Sequence, residues 1–572
     1  MIDILDMDAR VRRKMRIISA ASGREKADLV LKNATYLNVF TDELCKGDIA
    51  ITEGTIVGLG EYEGQHEDNL HGEIVIPGFI DAHIHIESSL VLPAEFARAV
   101  LPHGTTTVVT DPHEIANVMG LDGIRYMLSA TKGLPIDVLF MLPSCVPATQ
   151  LDESGARLLY REIDPFYRNA RVLGLAEMMN YVGIVRGDPE PIEKIAAAQS
   201  HHKKIDGHAP GLSGKDLCAY ISAGVYSDHE CADLGEALEK LRMGQFIMIR
   251  EGTAAQNLEA LCSLLDKKTN SRCMFATDDK HPSDLLQRGH IDYCVKKAVS
   301  LGVDPILALK AATHNAARYF LMNNKGAVAP GYAADLAVID DLNSLTVKRV
   351  YKDGTLRYAD GQLISFDAPD PGSELKRRAH STFRLAELKP EDFYDTRPRG
   401  VIGVVPGEII TRDLGTATGV DTGRDILKIA VIERHRGTGH IGIGYLGGYC
   451  LKQGAVATSI SHDSHNIIAV GANDFDLALA ANRIRELSGG IVVVQNGAVI
   501  AELPLPIAGL MSEESLTEVN EKLETAKETA FSLGISRKID PFMTLSFMSL
   551  PVIPELRLTT RGVVDVLRQR YV

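Results

Sequence analysis

Between residues 76 and about 325, short apolar runs alternate with longer stretches whose apolar positions recur at helical spacing. Eight runs stand out: VIPGFIDAHIH, TTTVVTD, IDVLFMLPSC, RVLGLAEMM, KKIDGHAPG, AGVYSDHE, QFIMIREG and RCMFATDD, each with helical or loop sequence behind it. Eight strand–helix units over roughly 250 residues have the size and rhythm of a (β/α)8 barrel. An open doubly wound sheet is the competing arrangement, but no phosphate-cradling G-x-G-x-x-G stands at its first turn.

The flanks follow another rhythm. Residues 27–62 carry short apolar runs punctuated by Gly and Asn (ADLVLKNATYLNVF, GDIAITEGTIVGLG), which predicts four short strands joined by tight turns. The same pattern returns at 326 with GAVAPGYAADLAVIDD and LTVKRVYKDGTLRYADGQ. A chain that leaves a small sheet, builds a barrel and comes back should complete that sheet on its second visit. Residues 1–75 and 326–375 are therefore expected to form one small β-sandwich beside a barrel of residues 76–325. Residues 367–400, rich in Pro, Asp, Arg and Glu, read as a connector. From 395 to 572 strand-like runs (DILKIAVIERH, GAVATSIS, NIIAVGA, GIVVVQNGAVIAELPL) and the amphipathic stretch SEESLTEVNEKLETAKETAFSLG predict an additional α+β domain. The expected fold class is α/β, a TIM-type barrel with a β-sandwich and this C-terminal domain.

Charge and cysteines narrow the partners. A formal net charge of −14 over 572 residues argues against a nucleic-acid backbone or an anionic membrane as the main partner. No run approaches the roughly 20 apolar residues of a membrane span, and the opening MIDILD lacks a basic region followed by an apolar one. The eight cysteines form no Cys-x-x-Cys pair, which fits reduced thiols and not a disulfide frame or a Cys-based zinc site. The expected location is cytoplasmic.

Candidate chemistry gathers at the C-terminal ends of the eight runs, where such a barrel places its site. The first run ends in His83 and His85. Residues i and i+2 of a strand share a face, so two imidazoles on one rigid strand, with Asp81 beside them, make a natural pair of metal ligands. The second run ends in Thr110-Asp111-Pro112-His113-Glu114, the fourth in Glu177, the fifth in His208, the sixth in His229 and Glu230, and the eighth in Asp278 and Asp279. A lone histidine is more often a hydrogen-bonded loop group. Four histidines and two carboxylates at one mouth instead suit two divalent cations, about 3.5–4 Å apart and bridged by a carboxylate, with a water between them activated toward hydroxide.

PGFIDAHIHIES, the aspartate after the eighth run, and GAVAPGYAADL at 326–336 resemble the amidohydrolase superfamily. HIHIESS, TDPHEIANV, GLAEMMN, DGHAPG, SDHE and ATDDKHP resemble its adenine deaminase family, and the resemblance covers essentially the whole chain. It implies His83, His85, Glu177, His208, His229 and Asp278 as metal ligands, with Glu177 in the bridging place where many relatives carry a carboxylated lysine. It implies manganese as the cation, with iron or zinc as alternatives, and a homo-oligomer of two or more copies. The implied reaction, part of purine salvage, is attack of a metal-bridged hydroxide on adenine to give hypoxanthine and ammonia.

In this reading Asp278 takes the proton of the attacking hydroxide and passes it to the leaving amine, while His229 helps orient the attack. Glu114 protonates ring nitrogen N1, and Asp111 holds Glu114 or touches the purine edge. The competing account of Asp111–Glu114 is a helix N-cap with acidic first-turn residues. His113, Glu87 and Asp279 are expected to support the ligands. Ser461-His462-Asp463-Ser464-His465-Asn466 reads as a metal- or triad-like cluster, a polar turn, or an oligomer contact near the mouth. His435–His440 is Gly-rich without the Gly-Lys-Ser/Thr ending of a P-loop and reads as a tight turn or a loop over the site. Two other functions compete. A cyclic-amide hydrolase would prefer a lysine at position 177, and a non-catalytic scaffold would lack the ligand set.

Overall fold

The eight central runs are eight strands: Phe79–His85, Thr105–Thr110, Asp137–Leu142, Val172–Met178, Lys204–Gly207, Ser227–Asp228, Phe246–Arg250 and Cys273–Ala276. They are seen in a computed structural model, which describes residues 4–572. The first five lie side by side in parallel, as do the last three. Tyr226 N–H donates to Ile205 O at 3.1 Å, joining the fifth strand to the sixth. Just beyond the eighth strand, Asp278 and Asp279 pair in parallel with Ile84 and His85 of the first, which closes the (β/α)8 barrel.

Strands covered on both faces should read as unbroken apolar runs. Phe79–His85 and Thr105–Thr110 are buried at every position. Ile80, Ala82, Val109, Met141, Ala176, Met248 and Met274 form one buried cluster drawn from six of these strands, and it packs the barrel solid. The polar strand ends therefore stand on a rigid apolar base.

Residues 27–62 hold three strands, Ala27–Asn38, Glu43–Thr52 and Thr55–Gly60, not four. Asn33 does not turn the chain. It takes φ +55° at a bulge, and the 12-residue first strand runs on through it. Each half of that strand then takes its own parallel partner, Gly64–Asn69 for the first and Ile74–Pro77 for the second. Leu336–Ile339, which leaves the barrel, pairs antiparallel with Ile74–Pro77, which enters it. The small β layer is thus built from both flanks.

The C-terminal region folds around an eight-stranded sheet running from Thr411–Ala417 at one edge to Ala498–Pro504 at the other. Helix Asp474–Glu486 packs on its middle strands, and the long helix Leu516–Ser532 lies against the Ala498–Pro504 edge. A capping box between Ser515 and Glu518 starts that long helix. Met179 and Cys145 of the barrel share a buried cluster with Phe547, Leu550 and Ile553, so the two regions meet over the barrel mouth. Among the described residues no helix is long and apolar enough to cross a membrane.

One buried cation holds the fifth and sixth strand ends together. Lys240, on helix Leu234–Arg242, donates to Ala209 O at 2.7 Å, to Glu236 at 2.7 Å and to the fully buried Asp228. Breaking a buried pair by removing one partner typically costs about 3–5 kcal/mol. Lys240→Met should lose about that much stability in urea denaturation. A midpoint equal to wild type would mean that Asp228 is satisfied without the lysine.

Candidate functional site

The six candidate ligands converge at the C-terminal end of the barrel, each from its own strand end except the pair on the first strand. Glu177 is their centre. Its Oε1 lies 3.2 Å from His85 Nε2 and 3.7 Å from His83 Nε2. Its Oε2 lies 2.7 Å from His208 Nδ1 and 3.2 Å from His229 Nε2. Asp278 Oδ1 is 3.3 Å from His85 Nε2 and 3.9 Å from His83 Nε2, while Oδ2 accepts from Arg250 at 2.5 Å. Asp278 itself sits at φ +57°, a region that side chains other than glycine visit sparsely. The turn out of the eighth strand aims its carboxylate at the two histidines of the first.

Burial alone would raise both carboxyls. For Glu177 it is outweighed by His229, His208 and His85, and for Asp278 by Arg250, His85 and His83, so both are held well below the usual range. Burial and the stacked His229 ring, 4.4 Å away, keep His83 neutral. His229 is pushed down by burial but carried to about 10 by Glu177 and Glu230.

The donor set fits a divalent cation. His85 Nδ1 lies 3.0 Å from Asp111 O, a carbonyl that can only accept, so the ring's neutral form turns its Nε2 lone pair toward Glu177 and Asp278. Burial and His113 push His85 down, but Asp278 and Glu177 carry it well above 6.5, so the space between the ring and the two carboxylates calls for a positive charge, a proton on Nε2 or a divalent cation. His83 Nε2 is buried without a hydrogen-bond partner among the described residues. The ligand atoms of His83, His229 and Asp278 lie within 4.8 Å of one another, as do those of Glu177, His208 and His229. Imidazole and carboxylate ligands crowded in this way suit Zn, Mn or Fe.

Around this centre the outcome differs by residue. Asp111 is fully buried behind His113, whose Nδ1 donates to it at 2.8 Å, and it is not on the cavity wall. Glu114 takes its bonds from His462 and His465, so the expectation that Asp111 holds Glu114 is corrected. Nor does it cap a helix, because Pro112 occupies the N-cap position of His113–Met119. His113 Nδ1 also stands 3.5 Å from Glu177 Oε1, while Glu87 accepts from Ile115 N–H at 3.3 Å and is pushed by burial to about 7. Asp279 accepts from the Ser88 hydroxyl.

Glu114 is on the cavity wall, and the C-terminal domain holds it. His462 Nδ1 is 2.8 Å from one oxygen, and His465 Nε2 bonds the other. The 461–466 cluster is therefore part of the site. The 435–440 stretch is not on the cavity wall. His435 is buried and bonds Ser464 O at 2.7 Å, and the exposed His440 pairs with Glu153.

The rest of the cavity is closed by Ile409, Phe547, Leu550 and Ile553, an apolar roof opposed to the polar strand ends. Arg250 and Glu230 have no role in the sequence reading, yet they form a buried pair beside Asp278, with Arg250 Nη2 donating to Glu230 at 3.0 Å. The strand-end rule that locates the histidines also locates Arg250, the last residue of the seventh strand.

Two family models match the chain: "Amidohydrolase family" over residues 74–357 and "Adenine deaminase C-terminal domain" over residues 408–570. The chain is 49% identical to "Adenine deaminase 2" of Carboxydothermus hydrogenoformans, over 96% of this chain and 97% of that protein. It is 43% identical to "Adenine deaminase" of Bacillus subtilis, again over 96% of this chain and 97% of that one. Among solved structures it is similar to the L-hydantoinase of Arthrobacter aurescens, with TM-score 0.43, 16% identity, and coverage of 59% of this chain and 98% of that one.

The Arg250 pair makes a pH-dependent prediction. Burial would raise Glu230, but Arg250 holds it below its ordinary 4.5, so the pair stabilises the fold above that pH and the contribution fades as pH falls. Arg250→Met should cost about 3–5 kcal/mol at pH 7, a penalty that shrinks below pH 4.5 as Glu230 takes up a proton. Urea denaturation at both pH values reads this. A penalty independent of pH would contradict it.

Proposed function

This chain belongs to the adenine deaminase family of the amidohydrolase superfamily, and on that premise we propose how its site performs the family's reaction. The protein is a hydrolytic deaminase that converts adenine and water to hypoxanthine and ammonia. Attack at C6 destroys the aromaticity of the ring. It therefore needs a water relieved of a proton, and a proton for N1 as C6 becomes tetrahedral.

His83, His85, Glu177, His208, His229 and Asp278 would hold the divalent cation, read as a pair bridged by Glu177, with manganese first and iron or zinc as alternatives. When bound, such a cation acts as a Lewis acid that brings the pKa of a water from about 15.7 toward about 7. Asp278 accepts the proton of the attacking water and later delivers it to the leaving amine. Arg250 on Oδ2 fixes the rotation of that carboxylate, so Oδ1 stays turned toward His83 and His85. His229 orients the water. The ring proton is delivered from the Glu114 side of the cavity, where Glu114 and its partner His462 both stand on the wall. Phe547, Leu550 and Ile553 cover the flat purine and exclude bulk solvent.

The observation that carries this reading is Glu177 itself, a carboxylate reached by five imidazoles, those of the four candidate ligand histidines and His113, at the place where a cyclic-amide hydrolase would use a lysine. The free thiols support a cytoplasmic location. The exposed stripe Met7, Val11, Met15 and Ile18 on the first helix supports a homo-oligomer.

The test is ammonia release from adenine, beside adenosine and a hydantoin, by manganese-reconstituted protein and its Glu177→Gln variant. Adenine alone should yield ammonia, and the variant should lose at least about 100-fold in rate together with bound metal. No ammonia from adenine, or a Glu177→Gln protein that keeps both metal and rate, would overturn the proposal.

A further inference from the structure

Glu114 comes from the barrel, but the groups that bond it lie some 350 residues away. The tautomer of His465 follows from its other nitrogen. Nδ1 accepts from Ser461 N–H at 3.4 Å, so the ring proton is on Nε2 and is donated to Glu114. His462 Nδ1 donates to the second oxygen at 2.8 Å. With an imidazole N–H on each oxygen, Glu114 is an ion with no proton of its own to give.

His462 stands differently. Nδ1 is committed to Glu114, the ring stacks on Phe547 at 4.6 Å and 22°, and the residue lines the cavity that holds Asp278 and His229. Nε2 is the ring atom left for a substrate.

The loop is anchored as a positioning device requires. His462 N–H donates to Ser546 O at 3.1 Å, and the Ser461 and Ser549 hydroxyls bond at 2.6 Å. His465 O accepts from Arg434, which is fully buried and also donates to Thr382 Oγ1 at 3.0 Å and Ala508 O at 2.8 Å. A guanidinium satisfied by neutral acceptors alone is expensive to bury. Here it fixes the carbonyl between the two histidine positions and Asn466.

We propose that the C-terminal domain supplies the acid of the reaction: His462 Nε2–H protonates purine N1, and Glu114, clamped by His465, keeps His462 oriented and charged. This rests on the adenine deaminase reading above. The water oxygen uses a lone pair to form the C6–O bond, the C6=N1 π pair moves to N1 and takes the His462 proton, and Asp278 takes a proton from the water. On collapse an oxygen lone pair forms the carbonyl. The C6–N bond breaks with its pair going to nitrogen, which accepts the Asp278 proton and leaves as ammonia. The hydroxyl proton released then restores His462 through solvent.

The groups around His462 are Glu114 and His113 from the second barrel loop, Asp279 and His281 from the eighth, and Asp463 and His465 from its own loop. Burial pushes His462 down, but the three carboxylates outweigh it and bring it to about 9.

The experiment uses metal-loaded, full-length protein with adenine as substrate. His462→Gln should lower kcat by about 10²–10⁴ with KM and metal content near wild type, and should abolish the fall in rate above pH 9. His462→Gly should recover part of its activity with added imidazole, which decides the matter if the glutamine variant folds poorly. His465→Gln should lose less and keep the alkaline limb. A His462→Gln enzyme within threefold of wild type with its alkaline limb intact, or a His462→Gly enzyme indifferent to imidazole, overturns the inference and leaves the deaminase reading standing. Wild-type protein inactive on adenine overturns both.

Discussion

A single buried carboxylate organises this molecule. Glu177, 3% exposed, has imidazoles within 3.7 Å on both oxygens. Burying such a group costs several kcal/mol unless it is paired and hydrogen-bonded. The histidines repay that cost only if four different strand ends, those that carry Glu177 and its partners, hold their positions to within tenths of an ångström. The closed barrel provides this. Each strand is pinned by its two neighbours, and the apolar cluster beneath leaves no room for one end to shift alone. The polar mouth and the apolar base are two parts of one device.

The same economy explains the charges behind the ligands. Asp278 would be a poor partner for His83 and His85 if its second oxygen were bare, and Arg250 covers it. Arg250 Nη2 would in turn lack a carboxylate without Glu230, which also leans on His229 and His208. The chain Glu177–His229–Glu230–Arg250–Asp278 closes on itself through His85. The C-terminal domain adds a second buried set on another carboxylate of the wall, Glu114, and roofs the cavity with apolar side chains. In the proposed reaction, a barrel carrying only the first set would have its metal ligands without the group assigned to protonate the ring.

Much of this was legible in the chain. The eight strands appear as apolar runs with helical sequence between them, and the strand-end rule led to the residues that meet at Glu177. Period and position suffice where the chemistry lies on the strands themselves. They fail where it depends on tertiary contact. His462 and His465 are visible as a cluster, but nothing local says that their partner is Glu114, because that contact is set by how one domain seats on the other. Asp111 reads as a neighbour of Glu114, yet Pro112 and the helix that starts at His113 turn the two side chains to different partners. Asn33 looks like a turn residue, but a strand with a different parallel partner on each half absorbs it as a bulge. Arg250 was within reach of the rule and lay outside the residue types sought.

The central claim is that Glu177 and its histidines hold the divalent cation used in adenine deamination. Anomalous diffraction at the manganese edge, from crystals of the manganese-loaded protein, tests it most directly. The account predicts anomalous density beside the Glu177 carboxylate, within ligand distance of His83, His85, His208, His229 and Asp278. Density elsewhere in the molecule with none at Glu177, in crystals of protein that deaminates adenine, would contradict it.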